Sequence, residues 1–284
     1  MSTSVDPRRG LELTGPDSDP ADLPPPPTVG LAGWRLLAVR MLVIAAVLAS
    51  WQFASGRWID PFFVGSPTAI GARLWEWVST GYIFSHLLIT LQEAALGFLA
   101  GASAGIIVGY LLGRYVPLAK ILDPIVSALN ALPRLALAPL FVVWFGIDIE
   151  MKMVLGGVIV FFLVFYNTAH GVRDVDQELQ DVVRVLGANQ RHLVWKVIVP
   201  SALPSIYVGL RMALPYSLVG AVVGEIVAAN RGLGWLISYS AGQFDTNGVF
   251  ASLVILMIVA VALNAVLGMT QRRALKWRPA LVGG

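Results

Sequence analysis

Six long apolar runs dominate the sequence after residue 35 and decide which folds the chain can adopt. A helix needs about 20 apolar residues to cross a hydrocarbon core of roughly 30 Å, and the runs lie near that length. Strands of membrane barrels alternate apolar and polar residues, whereas these runs are continuous. With 57% hydrophobic and 13% charged residues, the chain is predicted to be an all-α, polytopic membrane protein. The six predicted transmembrane helices are Leu36–Phe53, Leu87–Leu112, Ile121–Phe145, Met151–Tyr166, Ile206–Ala229 and Val249–Gly268.

The distribution of basic residues predicts the orientation of these helices. Six spans place both termini on one side of the membrane, and Lys and Arg favour the cytoplasmic side. With both termini in the cytoplasm, 13 of the 20 Lys and Arg residues lie inside, four lie outside and three fall within spans. We therefore predict cytoplasmic N- and C-termini.

The first 30 residues differ in composition from the rest. They contain four consecutive prolines, Pro24 to Pro27, and almost no large apolar residues. Such a segment does not bury enough surface to fold. We predict a disordered cytoplasmic tail over residues 1–30 and a membrane domain over residues 31–284, in which residues 172–205 form a cytoplasmic loop.

Two external segments carry local signals of their own. In "SPTAIGARLWEWV", Ser66 is a suitable N-cap and Pro67 a suitable first helical residue, which predicts an interfacial helix anchored by Trp75 and Trp77. The stretch Asn230–Gly248 has turn residues at both ends and an apolar middle. It is either a short helix that dips back toward the membrane or a plain interfacial loop.

The cytoplasmic loop contains the polar stretch "RVLGANQRHLVWKVIVPSALPS". Asp174 followed by Gln177 resembles a capping box, and Gly187 suits a left-handed helix end. Pro200 and Pro204 are expected to end or kink a second short helix. These signals predict two short helices that form an elbow at the membrane surface; the alternative is an ordinary surface loop. The apolar positions of the first helix are Leu179, Val182, Val183 and Leu186.

From Asp181 onward this stretch resembles the signature cytoplasmic loop of the inner-membrane permeases of bacterial ABC importers. That loop reads E-A-A, three residues, Gly, about nine residues, then an apolar residue, any residue and Leu-Pro. The carboxylate of the first position is kept here, whereas two valines replace the alanines and imply a bulkier packing seam. The matching residues are Asp181, Val182, Val183, Gly187, Pro200, Leu203 and Pro204.

The flanking segments extend the resemblance over nearly all of the chain after the tail. The segments "LALAPLFVVWFGID", "FFLVFYNTAHGVRDVD" and "GLRMALPYSLVGAVVGEIVAANRGLG" are similar to the permease subfamily that imports nitrate, sulfonates, taurine, bicarbonate or pyrimidine precursors.

The resemblance implies a type I ABC importer permease in the bacterial plasma (inner) membrane. Two copies of the chain would pair as a homodimer with two cytoplasmic ATPase subunits, and an extracytoplasmic binding protein would deliver the solute. ATP and Mg would bind to the ATPases, with no cofactor on this chain and no role for nucleic acid. The ATPase-coupling residues would be Asp181, Val182, Val183, Gly187, Ala188, Asn189, Pro200, Leu203 and Pro204.

The absence of a phosphate-binding motif agrees with the binding of ATP to a separate subunit. No Gly-Lys dipeptide occurs in the sequence, so the chain lacks a phosphate-binding G-x-x-x-x-G-K-[ST] loop. We expect a permease without enzymatic activity that imports a small polar solute, an anion such as a sulfonate, taurine or nitrate. The alternative is a secondary transporter driven by an ion gradient, with Glu93 and His170 as proton carriers.

Glycines recur every fourth residue along the second span, at positions 97, 101, 105, 109 and 113. Small residues on one face let another helix approach closely, so we predict a packing seam, with a dimer contact as the alternative. The same stretch contains "GASAG", which matches the G-x-S-x-G pattern of serine hydrolases around Ser103. That pattern requires a strand-turn-helix elbow, whereas this segment is predicted to be one continuous helix.

Three ionisable residues fall deep within the predicted spans: Glu93, Arg134 and Glu225. Such groups are costly in a bilayer and usually face a partner or a cavity. Arg134 lies between two prolines and either contributes to a path for an anion or forms a structural ion pair with Glu225 or Glu93. The three histidines of the chain, together with Glu93 and Glu225, do not have the sequence spacing of metal ligands. The candidate translocation path comprises Arg134, Glu225, Glu93, Tyr166, Asn167 and His170.

Overall fold

The computed structural model describes residues 33–274, and all of its regular secondary structure in that range is helical. The predicted tail over residues 1–30 lies outside the described residues. A 3-10 turn, Arg134–Leu137, precedes α6, and a π-helical segment, Val194–Ile198, joins α9 to α10. The helices are α1 (Gly33–Ala54), α2 (Pro61–Val64), α3 (Pro67–Ser79), α4 (Tyr82–Arg114), α5 (Val116–Ala131), α6 (Ala138–Phe145), α7 (Ile149–Arg173), α8 (Gln177–Val185), α9 (Gln190–Leu193), α10 (Val199–Ala228), α11 (Leu233–Gly242) and α12 (Thr246–Ala274).

Within residues 33–274, five helical stretches are long and apolar enough to cross a membrane, and a bent pair of helices brings the number to six if it forms one span; the five are α1, α4, α7, α12 and the stretch Gln190–Ala228 that includes α10. Up to Ser50, α1 belongs to a compact unit of its own, and its side chains from residue 34 to residue 50 are exposed. The remainder of the chain forms the second unit.

The third predicted span, Ile121–Phe145, is not one helix. It consists of α5 and the stretch Arg134–Phe145, which meet at an angle of 78°. Pro133 lacks an N–H group and disfavours helical geometry at the residue before it, and Leu132 is accordingly extended, with φ −65° and ψ 137°. The sequence places a proline at this break, but the size of the bend depends on how the two segments pack.

The glycine seam of α4 packs against α7 of the same chain, which confirms the packing interpretation. A Cβ atom at Gly97 would lie 3.1 Å from the carbonyl oxygen of Met153, and one at Gly105 would lie 2.8 Å from that of Phe161. At Gly101 it would overlap the carbonyl oxygen of Gly157. The helix backbones therefore touch along four turns, and Ser103 lies in uninterrupted helix without the elbow that a hydrolase needs.

Helix α7 lies at the centre of the second unit because α10 packs closely on it as well. Gly220 on α10 lies against the backbone of Gly156, and a Cβ atom at Gly209 would lie 2.8 Å from Cβ of Asn167. Leu155 and Val160 of α7 are fully buried. The three long helices α4, α7 and α10 thus form the rigid core of this unit.

At one end of the core, α3 and α11 pack against α12. Ser66 caps α3 by accepting a hydrogen bond of 3.3 Å from the N–H of Ala69, which confirms the predicted helix start. The apolar middle of Asn230–Gly248 forms the short helix α11, as one of the two alternatives predicted, and Leu233 and Leu236 are buried with Ile70 of α3. The predicted dip of this helix toward the membrane stays a prediction. We call this end of the core the α11 end and the opposite end, which carries α8 and α9, the elbow end.

Candidate functional site

The elbow begins two residues later than the sequence suggested. Asp174 ends α7, with its N–H bonded to the carbonyl oxygen of His170 at 2.9 Å, and does not cap the next helix. Asp176 is the N-cap of α8, and its Oδ1 accepts a hydrogen bond of 2.8 Å from the N–H of Glu178. Because α7 continues to Arg173, Asp174 already serves as the C-cap of that helix.

Gly187 ends α8 in the left-handed conformation, as predicted, with φ +85°. Its N–H bonds to the carbonyl oxygen of Arg184 at 2.9 Å, and the N–H of Ala188 bonds to that of Val183 at 3.2 Å. No atom lies within 4 Å of a Cβ built at Gly187, so the backbone conformation alone favours glycine here.

The second helix of the elbow continues into α10, so of the two predicted effects of Pro200 and Pro204, the end of the helix is not observed. Asn189 caps α9 by accepting a hydrogen bond of 2.9 Å from the N–H of His192. The chain then runs without a break through the π-helical segment and α10, as one helical stretch from Gln190 to Ala228. The wider π-helical turn comes directly before Pro200, and Pro204 is accommodated inside α10. A proline inside a helix removes one backbone hydrogen bond and crowds the preceding turn, and the π-helical turn before Pro200 is where the helix accommodates this loss.

Apolar packing anchors the base of the elbow to α7. Leu193 and Ile198 are 1% exposed and pack in one cluster with Val172 and Val175. A Cβ atom at Gly171 would lie 2.6 Å from Cβ of Ser205. The base of the elbow is therefore close-packed, so its movement must be shared by α7 and α10.

The outer face of α8 is apolar and uncovered. Val182, Val185 and Leu186 are 56%, 88% and 79% exposed. Asp181 pairs with Arg184 one turn later at 2.9 Å, beside this apolar face. Sequence periodicity named Val182 and Leu186 among the apolar positions of this helix and did not include Val185; only the fold shows that these side chains lack a cover within the second unit. Of the positions that match E-A-A, only Val183 is partly buried.

The acidic residues predicted within spans lie together near the α11 end, but neither pairs with Arg134. Glu93 lies 3.8 Å from Nζ of Lys152, and both side chains are almost fully buried. Lys152 also donates a hydrogen bond to the carbonyl oxygen of Ile147. The proposed structural ion pair of Arg134 with either acid is therefore wrong for the described residues. Lys152, which the sequence analysis did not consider as a partner, pairs with Glu93 instead.

Glu225 holds the start of α11 in place. Its carboxylate accepts hydrogen bonds of 2.6 Å from Oγ1 of Thr90 and of 2.6 Å from the N–H of Gly234. Oγ1 of Thr90 in turn accepts a hydrogen bond of 2.8 Å from the N–H of Leu233. Nδ1 of His86 accepts one of 3.1 Å from the N–H of Gly232. We call Glu225, Thr90 and His86, together with the backbone of residues 232–234, the α11 anchor.

The other three path candidates lie on α7, toward the elbow end. Asn167 donates a hydrogen bond of 2.8 Å to the carbonyl oxygen of Leu163, so its amide is satisfied within the helix. Tyr166 is partly buried, and His170 is exposed near the end of α7. These residues do not meet Glu93 or Glu225. The described residues also hold no cluster of three or more His, Asp or Glu side chains arranged to bind a metal ion.

Arg134 lies apart from both groups, at the bend between α5 and α6. Its Nη2 donates to the carbonyl oxygen of Asn130 at 3.0 Å and to the side-chain oxygen of the same residue. The guanidinium lies over the ring of Phe162 at 4.7 Å. It lines an open cavity of about 350 Å³ together with Tyr216 and several apolar residues.

Comparison with known proteins adds the family context. The sequence model of the family described as "Binding-protein-dependent transport system inner membrane component" matches residues 101–276, which include the whole elbow. A Bacillus subtilis (strain 168) protein named as an aliphatic sulfonates transport permease is 36% identical over 244 residues, which cover 86% of this chain and 88% of that protein.

Two further relatives differ in their named solutes. The taurine transport system permease protein of Escherichia coli (strain K12) is 33% identical and covers 86% of this chain and 93% of its own. The formylaminopyrimidine transport permease protein of Halalkalibacterium halodurans is 31% identical, with coverage of 84% and 94%. The fold also matches a solved structure: a chain of an amino acid ABC transporter superposes with a TM-score of 0.57 at 18% identity, over 70% of this chain and 97% of that one.

Proposed function

The chain belongs to the family of binding-protein-dependent transport system inner membrane components, and from this we propose that its elbow is the socket through which a separate ATPase drives transport. Membership makes the chain a permease subunit of an ABC importer, a multi-pass protein of the bacterial plasma membrane and not an enzyme. The proposal concerns how this permease is driven and what it carries.

The observation that carries the proposal is the apolar outer face of α8 on a rigid base. Val182, Val185 and Leu186 expose large apolar side chains in a helix that otherwise bears Asp181 and Arg184. Apolar patches with a polar rim mark protein interaction sites. Of the coupling residues named from the sequence, Val182 lies on this face with Asp181 beside it, and Val183 packs toward the base of the elbow. The others lie at the Gly187 turn and in the first turns of α10.

The continuous helix from Gln190 to Ala228 supports a mechanism of coupling. A displacement of the elbow moves the start of this helix, and its other end carries Glu225 of the α11 anchor. Because close-packed helices shift as units, closure of the ATPases would be transmitted from the elbow to the α11 end, where the solute enters. We place the elbow in the cytoplasm, in agreement with the distribution of basic residues.

The partners of the proposal are a second copy of this chain, two ATPase subunits that bind ATP and Mg, and an extracytoplasmic binding protein. The solute is small and polar, and we propose an anion such as a sulfonate, taurine or nitrate. Two relatives named for sulfonates and taurine support this class, whereas the relative named for formylaminopyrimidine shows that named solutes differ at similar identity.

No observation favours the alternative of a gradient-driven transporter. Its proposed proton carriers are far apart: Glu93 pairs with Lys152, and His170 lies 18 residues further along α7. At 1.5 Å per residue this separation is about 27 Å, too long for direct proton transfer.

The experiment is co-purification of the tagged chain with its ATPase from native membranes. Val185→Glu places a charge on the exposed face and should abolish recovery of the ATPase, because a carboxylate buried in an apolar interface without a partner is costly. Ser79→Glu adds the same charge to an exposed position at the α11 end and should leave recovery unchanged. Equal recovery of the ATPase with both variants would refute the socket.

A further inference from the structure

The bend between α5 and α6 places a cation beside the middle of α7 and α10, which for helices that cross a membrane corresponds to mid-depth. The guanidinium of Arg134 lies over Phe162, which is close to the middle of the 25-residue helix α7. Tyr216, which lines the same cavity, is close to the middle of the 30-residue helix α10. Non-helical backbone at this depth is tolerated only when it is buried in protein or lines a water-filled cavity.

The charge of Arg134 has no counter-charge within the described residues. None of their carboxylates forms an ion pair with it; the two acids of the core are held by Lys152 and by the α11 anchor. Nη2 bonds to Asn130, but Nε is buried and has no hydrogen-bond partner. Ionisable side chains in membrane-spanning segments usually face a partner or a cavity and mark functional sites, and Arg134 lines a cavity without an acidic partner among the described residues.

The cavity around this cation suits a small ligand with one anionic end. Its volume of about 350 Å³ lies in the range of small-molecule sites, and its polar lining residues are Arg134, Asn130 and Tyr216, while the others are apolar. The amide oxygen of Asn130 is engaged with Arg134, so its nitrogen remains free to donate. The site therefore offers a guanidinium, an amide and a hydroxyl as donors and no acidic group.

We infer that this Arg134 cavity binds the sulfonate or carboxylate group of an anionic solute at the half-way point of transport. The inference rests on the proposed function, because it assumes that the solute crosses through this subunit. A guanidinium presents a planar fork of donors that matches an oxyanion, and Nη1, which makes no hydrogen bond within the described residues, is the donor left for it. The apolar walls contact the remainder of the solute without holding it strongly, which a transit site requires.

The test measures binding of methanesulfonate to the complex of this chain with its ATPase subunits in lipid nanodiscs. Radiolabelled methanesulfonate is the probe, and dimethyl sulfone, which has nearly the same shape but no charge, is the competitor. We expect binding that dimethyl sulfone does not displace. Arg134→Gln should weaken binding about tenfold or more, as expected for the loss of a charge-assisted hydrogen bond, and Arg134→Lys should weaken it less.

The matched control is Arg211→Gln, which removes an exposed arginine from α10 and should leave binding unchanged. Equal binding to the wild type and Arg134→Gln, an equal loss in Arg211→Gln, or displacement by dimethyl sulfone would each overturn the inference. If Arg134→Gln does not assemble, Tyr216→Phe removes one donor at a half-exposed position and should still weaken binding severalfold; unchanged affinity in Tyr216→Phe would then overturn it.

ATP hydrolysis by the same particles separates this inference from the proposed function. If the particles contain and stimulate the ATPase but do not bind methanesulfonate through Arg134, the solute site at Arg134 is refuted and the proposed function stands. Particles that never recruit an ATPase refute the proposed function, on which the inference depends.

Discussion

The hydroxyl of Thr90 on α4 donates a hydrogen bond of 2.6 Å to the carboxylate of Glu225 on α10, and the same oxygen accepts the N–H of Leu233 at 2.8 Å. One buried hydroxyl thus ties two core helices to the start of α11. Thr90 is 0% exposed, so water cannot replace either bond. The α11 anchor is therefore the connection between the long helix of the elbow and the opposite end of the protein.

Replacement of Thr90 by valine preserves shape and removes both hydrogen bonds. A buried donor or acceptor left without its partner costs about 1–3 kcal/mol, so we expect Thr90→Val to lower the free energy of unfolding by roughly 2 kcal/mol or more. The free energy of opening that hydrogen exchange reports for the first amides of α11 should fall by a similar amount. Thr90→Ser keeps the hydroxyl and is the control; equal exchange rates in both variants would argue against the anchor.

Replacement of glycine by alanine is predicted to have opposite effects in the glycine seam of α4 and at an open position of α3. At Gly101, a Cβ atom would overlap the backbone of Gly157, so Gly101→Ala should destabilise the protein by about 1–3 kcal/mol through forced separation of α4 and α7. At Gly71 in α3 no atom lies within 4 Å, so Gly71→Ala should stabilise it by about 0.5–1 kcal/mol. Thermal unfolding of the two purified variants shows whether each substitution lowers or raises the stability of the protein. A neutral result at Gly101 would contradict the close approach.

Substitution of Gly187 is predicted to reduce coupling through the backbone conformation, since a side chain at this position would meet no other atom. Its φ of +85° costs a residue with a Cβ atom about 1–2 kcal/mol, so Gly187→Ala should loosen the turn of the elbow. We expect solute uptake per ATP hydrolysed to fall while membrane insertion is unchanged. Asparagine tolerates this conformation better, and Gly187→Asn should retain most of the coupling. Full coupling in the alanine variant would show that the turn transmits no force.

For the pair of Glu93 and Lys152, we predict that a second substitution restores the stability that the first one removes. Both side chains are about 4–5% exposed, so Lys152→Met leaves a buried carboxylate without its cation and should cost about 3–5 kcal/mol. Adding Glu93→Gln removes the stranded charge and should restore most of the stability. The measurement is the unfolding midpoint of both single variants and the double variant; additive losses would exclude a direct interaction.

Features that depend on residues close together in sequence were predictable. The apolar runs required helices, the four-residue glycine period required a helix contact, and the sequence around Gly187 required a left-handed turn, because each follows from local backbone geometry. The loop motif likewise indicated the permease family before any fold was known. Local signals left the outcome open where two interpretations used the same residues: Pro200 suits the interior of a helix with a locally widened turn as well as a helix end, and Asp174 suits a C-cap as well as an N-cap.

Tertiary structure alone decided which groups meet. Lys152 pairs with Glu93, and Thr90 with Glu225, because α4, α7 and α10 pack backbone to backbone, a relationship between residues more than 50 positions apart in sequence. The same packing leaves Arg134 at a bend without an acid and leaves Val185 uncovered on the elbow. Sequence determined that this chain fills a membrane with helices and carries a permease loop, since hydropathy and backbone conformation are properties of individual residues and short segments. Which charges are paired is a property of helix rotation and register, and these are set only when the helices pack.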